Sequence, residues 1–406
     1  MPGDDGAGEA LPTTSTSKAA TRPIHDPPSA FDTSQGIPLP KSVLDGHTNL
    51  LGQVGNGDLP ITLYQDRVFI AEPNRMQMLD MATGELTTVA KPTAVPVGAN
   101  NEWNARPVAP PLLVERGSTS IAVTSFVVNE TTTGTRAAHQ NAEIIAVDAG
   151  TGKATWRLAI RLPNKDGGDA KASLVGGNDG SLALRTTTEY DNHYVSYGID
   201  STTGRQTWTK DGFAALVVDD GVVIGATRDE SWGVRPSGFD ATSGKTLWRG
   251  QRSIDVAAST IASGRVLLSG SDYGSGDKYA RVMSPRTGRT SLTLGDEVRD
   301  DACVYDGQTA LICSGSSGVA DTVHAFEATS GKLLWKLPDS RTDRIAPSVS
   351  AVWHGRVYGT ANDSPVMLDA TTGEDLASPG AVPIMVNEST AILKSGSTLV
   401  ACPTKG

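Results

Sequence analysis

With 45 acidic against 35 basic side chains over 406 residues, the chain carries a formal charge of −10. Such a chain is repelled by nucleic acid and by anionic lipid, so neither is an expected partner. No apolar run reaches the roughly 18 residues that a membrane-spanning helix needs. Apolar residues come in short runs among 44 glycines, and aromatics make up only 5%. That pattern argues for short strands and turns rather than long helices.

Residues 1–40 are rich in Gly, Pro, Ser, Thr and Ala. Such a segment buries too little apolar surface to offset its ordering entropy, so it is expected to be a disordered tether. The start, Met1-Pro-Gly-Asp-Asp-Gly6, has neither the basic nor the apolar region of a signal peptide. An export signal or membrane anchor is therefore expected upstream of it. Residues 41–406 are expected to form one domain. Within it, residues 49–54 precede the first hairpin and have no evident partner.

From about residue 61 the chain repeats itself. Each unit opens with two apolar runs separated by a tight turn, as at Arg116-Gly117, Asp179-Gly180, Asp220-Gly221, Ser263-Gly264, Asp306-Gly307 and His354-Gly355. Asp-Gly between β-rich runs is a strong hairpin signal. After a variable loop comes a third short strand, then an acid-x-x-[ST]-G turn leading into a fourth. Four copies place a tryptophan four residues after the glycine: Asp148…Gly152…Trp156, Asp200…Gly204…Trp208, Asp240…Gly244…Trp248 and Glu327…Gly331…Trp335. Weaker copies run from Asp80 to Gly84, Ser284 to Gly288 and Asp369 to Gly373. From Gly204 through Gly244, Gly288 and Gly331 to Gly373 the glycines are 40, 44, 43 and 42 residues apart.

Four strands per 40–45 residues is the signature of a β-propeller. The chain is thus expected to be all-β. Counting hairpins, from 61–70 to 384–393, gives eight four-stranded antiparallel blades, or seven if one hairpin is misread. The last unit has a third strand at 398–401 but no fourth, and residues 49–54 are expected to supply it and close the ring. The turn tryptophans are expected to be buried between blades.

Propeller geometry puts the first and third turns of each unit on one face and the variable loops on the other. The variable loops carry Tyr190, His193, Tyr194, Arg228, Trp232, Tyr273 and Tyr279 in three successive units. Tyr, Trp and Arg are the types enriched at binding hot spots, so this rim is the expected partner-binding face. The six histidines are scattered without metal-ligand spacing and are expected at the surface. No phosphate loop or nucleophile elbow occurs. The polar clusters at 164–169 and 272–277 do not fit a 12-residue calcium loop. Cys303 and Cys313 face each other across a hairpin if its loop has five residues, and lie on opposite sides of the sheet if it has two; a disulfide hangs on that choice.

The acid-x-x-[ST]-G-x-x-x-W turn resembles the PQQ-like propeller repeat, over roughly residues 45–406. The family holds quinoprotein dehydrogenases, a bacterial outer-membrane assembly lipoprotein and ectodomains of receptor kinases. The resemblance implies the propeller fold; the turn itself is shared by enzymes and non-enzymes. Quinoprotein dehydrogenases carry adjacent cysteines beside the quinone, whereas Cys303, Cys313 and Cys402 are all apart. No quinone, metal or other cofactor is expected, nor catalysis; the alternative reading is a quinoprotein-type dehydrogenase or another enzyme with a site in the central channel. The expectation is a monomeric, extracytoplasmic scaffold or sensory ectodomain, tethered to a membrane or envelope, that binds a protein or small ligand on its loop-rich face.

Overall fold

The computed structural model describes residues 24–44, 59–97, 108–130, 139–163, 170–188, 193–229, 233–295, 298, 301–316 and 321–406. They form an all-β propeller of antiparallel sheets with two single-turn 3-10 helices before the first hairpin, at Thr33–Gln35 and Lys41–Leu44. Successive sheets span 61–90, 112–161, 170–211, 213–293, 302–337 and 348–369, and the last joins 383–405 to the N-terminal segment. The largest sheet has eight strands because one bridge, Val234 to Ser253, links residues 213–249 to residues 253–293. Divided at that bridge, the described strands fall into eight consecutive groups.

The tight turns take the backbone their residues favour. At Asp220-Gly221 both residues have positive φ, 46° and 71°. This is the geometry of a two-residue hairpin whose twist matches its strands. The repeated acid turn is built locally. The Oδ1 atom of Asp200 accepts from the amides of Thr202 and Thr203, each at 2.8 Å. The Gly204 amide donates to the Asp200 carbonyl at 2.9 Å. The same turn recurs at Asp80, Asp148, Asp240 and Asp369.

These bonds also set an acid sensitivity. The Ser243 hydroxyl and amide hold the Asp240 carboxyl below its ordinary range. A carboxyl depressed in the folded state stabilises the fold above its unfolded value of about 3.9, and that contribution is lost as pH falls through the lower folded value. Melting temperature should therefore fall below about pH 4. Asp240→Asn should flatten that acid slope while lowering the melting temperature slightly at pH 7. An identical slope in the variant, in thermal melts from pH 7 to pH 2, would show that this turn does not titrate with folding.

Each turn tryptophan reaches across to the following unit. Its indole N–H donates to the carbonyl of the residue just after that unit's first turn position: Trp156 to Ser201 and Trp208 to Ala241 at 2.8 Å, Trp248 to Pro285 at 2.6 Å, Trp335 to Ala370 at 2.9 Å. The ring covers that unit's turn glycine. At Gly244, with φ of 67°, an added Cβ would lie 2.6 Å from Trp208. Gly204, Gly288 and Gly373 meet Trp156, Trp248 and Trp335 in the same way. Where no tryptophan occurs, Leu292 covers Gly331 and Val89 covers Gly152. Trp208 is buried, whereas Trp156, Trp248 and Trp335 are half-buried, so the expectation of general burial holds fully only for Trp208.

The ring closes through a segment the sequence assigned to the tether. Ala30–Phe31 and Ile37–Pro38 pair with Thr398–Lys405, with Ile37 opposite Ala401. Ile37 lies nearest Gly84, 3.7 Å from where its Cβ would be, so it takes the tryptophan's place at this seam. Leu39 and Val43 are buried in a core with Ile61, Ile70 and Leu399. Further back, the Asp26 carboxylate accepts from Trp353 Nε1 at 3.0 Å and contacts His354, and the Tyr358 hydroxyl donates to the Pro28 carbonyl at 2.6 Å. The propeller therefore reaches back past residue 40. The edge expected for residues 49–54 is filled by Ala30–Pro38, and residues 49–54 lie outside the described residues.

Cys303 pairs with Cys313 across a five-residue loop, and the two form a disulfide. The loop is five residues because Asp306, buried, accepts from the amides of Gln308, Thr309 and Ala310 at 2.7–2.9 Å. Cys402 is free and buried. His324 departs from the surface expectation: it is buried and stacked on Phe326, a consequence of its place in the central strand Asp321–Glu327.

Candidate functional site: an arginine-lined seam

The described members of the expected aromatic rim are placed unlike one another. Tyr190 and Trp232 lie outside the described residues. His193 is bonded to Asp211 of its own sheet, and Tyr194 opens the strand Tyr194–Ile199 with its backbone paired to Thr187. Arg228 ends its strand exposed, its amide bonded to the Gly212 carbonyl at 2.9 Å. Tyr273 alone of the described tyrosines is strongly exposed, at 40%. Tyr279 corrects the expectation. It sits in the strand Lys278–Met283 rather than in the loop before it, and both faces of that strand pack inside the propeller, so Tyr279 is buried along with Ala280, Val282 and Met283. Its hydroxyl is 2.8 Å from Ser253 Oγ, and burial raises its pKa.

What gathers around Tyr273 and Tyr279 is arginine. The Arg252 guanidinium lies 3.7 Å from the Tyr273 ring centroid, and that of Arg281 lies 4.3 Å from the Tyr279 centroid. Both are close enough for cation–π attraction. Asp229 lies between Arg235 and Arg252, at 3.2 Å and 3.3 Å. Arg249 directly follows the turn tryptophan Trp248 and is exposed. Together Arg235, Arg249, Arg252 and Arg281 line a cavity of about 440 Å³ at the seam between residues 213–249 and 253–293. Its apolar lining comes from Pro236, Trp248, Leu268, Tyr279 and Met283.

The one carboxylate in the lining, Asp272, is occupied by its own loop. It accepts from the amides of Gly274 and Ser275 at 2.9 and 3.1 Å, bonds that hold its pKa down. Asp272-Tyr-Gly-Ser-Gly276 is thus a stray copy of the acid turn in a variable loop, and its amides take the oxygens the sequence considered for calcium. The companion cluster at 164–169 lies outside the described residues. Four guanidiniums and one carboxylate, Asp272, line the cavity, with Asp229 on two of the arginines and the charge of Asp255 reaching Tyr279. The volume falls in the range of small-ligand sites, roughly 300–1,000 Å³.

Three of the four arginines follow no motif, which is why the sequence does not announce them. Arg235 and Arg281 sit on third strands, Arg249 ends a fourth strand, and Arg252 lies in the crossing to the next unit. The one local signal is Arg249, fixed in register by the tryptophan beside it.

Residues 140–292 match the family model described as outer membrane protein assembly factor BamB, which carries the PQQ-like propeller repeat. No curated protein matches the sequence. Among solved structures, BamB from Moraxella catarrhalis is similar at 17% identity and a TM-score of 0.44, over 86% of this chain and 94% of that one. The β-propeller domain of the Trilobed protease from Pyrococcus furiosus is similar at 10% identity and 0.41, over 72% and 94%. Dipeptidyl peptidase 4 from Porphyromonas gingivalis is similar at 11% identity and 0.42, over 74% of this chain and 48% of that one.

Proposed function

We propose, proceeding from a chain of PQQ-like propeller repeats, that this protein is a non-catalytic scaffold outside the cytoplasm that binds a protein partner beside the seam cavity. The observation that carries the reading is that cavity. It has the size of a ligand site, and four guanidiniums gather at it in an otherwise acidic molecule. It adjoins exposed Tyr273, an aromatic of the type that anchors interfaces. The matched family is described by a part in outer membrane protein assembly, which supports a partner that is itself a protein. The Cys303–Cys313 bridge supports an oxidising compartment, where such bonds persist.

Photo-cross-linking in the native host tests the binding role. A benzophenone amino acid at Tyr273 should yield one recurrent protein adduct, and the same group at Thr242, exposed on the turn-bearing face, should not. Equal adducts from both positions would remove the case for this face. A thermal shift of many degrees with pyrroloquinoline quinone and calcium, together with turnover of an alcohol, would replace the scaffold reading by a quinoprotein enzyme. Peptide mapping without reductant should recover Cys303 and Cys313 as one linked pair from host material; two free thiols would place the chain in a reducing compartment.

A further inference from the structure

We propose that the seam cavity binds an acidic peptide segment of the partner, with carboxylates on Arg249 and Arg281 and an apolar side chain against Trp248, Leu268 and Met283. This rests on the reading of the chain as a protein-binding propeller and names what its site recognises.

The four arginines are not equivalent. Arg235 and Arg252 share Asp229, which fixes both along the mouth of the cavity. Neither Arg249 nor Arg281 forms a direct ion pair among the described residues; Asp272, the one carboxylate in the lining, feels the Arg281 charge but takes its hydrogen bonds from backbone amides of its own turn. Two guanidiniums thus face the cavity with donor capacity for carboxylates, which they bind bidentately. Arg281 is set in place by the Tyr279 ring beneath it, and Tyr279 by its bond to Ser253. Arg249 is placed by the register of Trp248, whose indole N–H is fixed to Pro285 of the next unit. Less side-chain freedom then remains to be lost on binding.

The apolar lining separates a peptide from a bare anion. Pro236, Trp248, Leu268 and Met283 offer nothing to inorganic phosphate but suit the apolar residue of an acidic segment. Charge complementarity to the rest of the surface points the same way. A peptide acidic enough to seek the arginines is repelled elsewhere by a chain of net charge −10, which confines it to this seam.

The test uses the full chain and a fluorescein-labelled octapeptide alternating glutamate with phenylalanine and leucine, followed by anisotropy. The peptide should bind saturably, and more weakly as salt rises. Arg249→Gln with Arg281→Gln should weaken it at least tenfold at an unchanged melting temperature. Replacing both with Lys should retain more than the Gln pair, and Arg161→Gln, an exposed arginine in another sheet, should change nothing. If the double variant unfolds, Arg249→Gln alone decides, because that side chain is exposed. Wild-type affinity in the Gln variants, or the absence of peptide binding, would overturn the proposal. So would displacement of the peptide by inorganic phosphate at an equal concentration of charge, which would leave a simple anion site. A double variant that loses the peptide but keeps the Tyr273 cross-link in the host would show that the partner binds without this cavity, and would leave the scaffold reading standing.

Discussion

Trp208→Ala is expected to lower the unfolding free energy by about 3–5 kcal/mol, the cost of truncating an enclosed aromatic. Trp208 is 8% exposed, packs with Phe213, Phe239 and Val218, and donates its indole N–H to the Ala241 carbonyl of the next unit. Truncation leaves a cavity and also an unpaired carbonyl at a seam. The complementary substitution attacks the same contact from the other side. Gly244→Val meets the Trp208 ring and must hold a positive φ, so it should destabilise even though it adds apolar surface. Combining the two should cost less than the sum of the singles, because the valine then faces the space the indole vacated. Urea unfolding of the four proteins measures this. A loss below about 1 kcal/mol for Trp208→Ala, against the range above, would mean that the seam is not held by its tryptophan.

Removing residues 1–40 is expected to lower the melting temperature by roughly 5–10 °C and to promote self-association. The deletion takes away Phe31 and Leu39, each worth about 1.5–3 kcal/mol when buried. It also removes Ile37 from its place over Gly84 and frees the edge of Thr398–Lys405. A bare strand edge is a template for pairing with another chain. A synthetic peptide of residues 24–44 added in excess should recover part of the loss by mass action. An unchanged melting temperature and a monomeric sedimentation profile in the truncated chain would show that the N-terminal pairing does not close the ring.

The sequence made the architecture legible because the repeat's chemistry is local. Asp, Thr and Gly within five residues build the turn, and the turn fixes where Trp156, Trp208, Trp248 and Trp335 stand. The closing segment is hidden from the sequence for a physical reason. Ala30–Phe31 and Ile37–Pro38 are two-residue strands in a stretch whose composition argues for disorder. They are ordered by partners more than 300 residues away, Tyr358, Leu399 and Ala401 among them. The site was less legible still. The rim rests on aromatic content, yet Tyr279 belongs to the strand Lys278–Met283, and the apolar run Tyr-Ala-Arg-Val-Met, buried on both faces of its sheet, is the signal of a strand rather than a loop. The arginines come from four separate places and meet only once two units dock.

Each of the four turn tryptophans clasps the unit after its own. A block of about 42 residues copied in tandem would therefore arrive with a hand to give and a turn to be taken, and its neighbours would accept it without change. Gene duplication can lengthen such a chain one block at a time, with only the join between the two termini left to be refitted. Because the clasp recurs with the same parts at four seams, and with an aliphatic side chain over the turn glycine at others, whatever surrounds it is free to drift. One seam can gather arginines and acquire a ligand of its own while its sisters go on serving only to hold the circle shut.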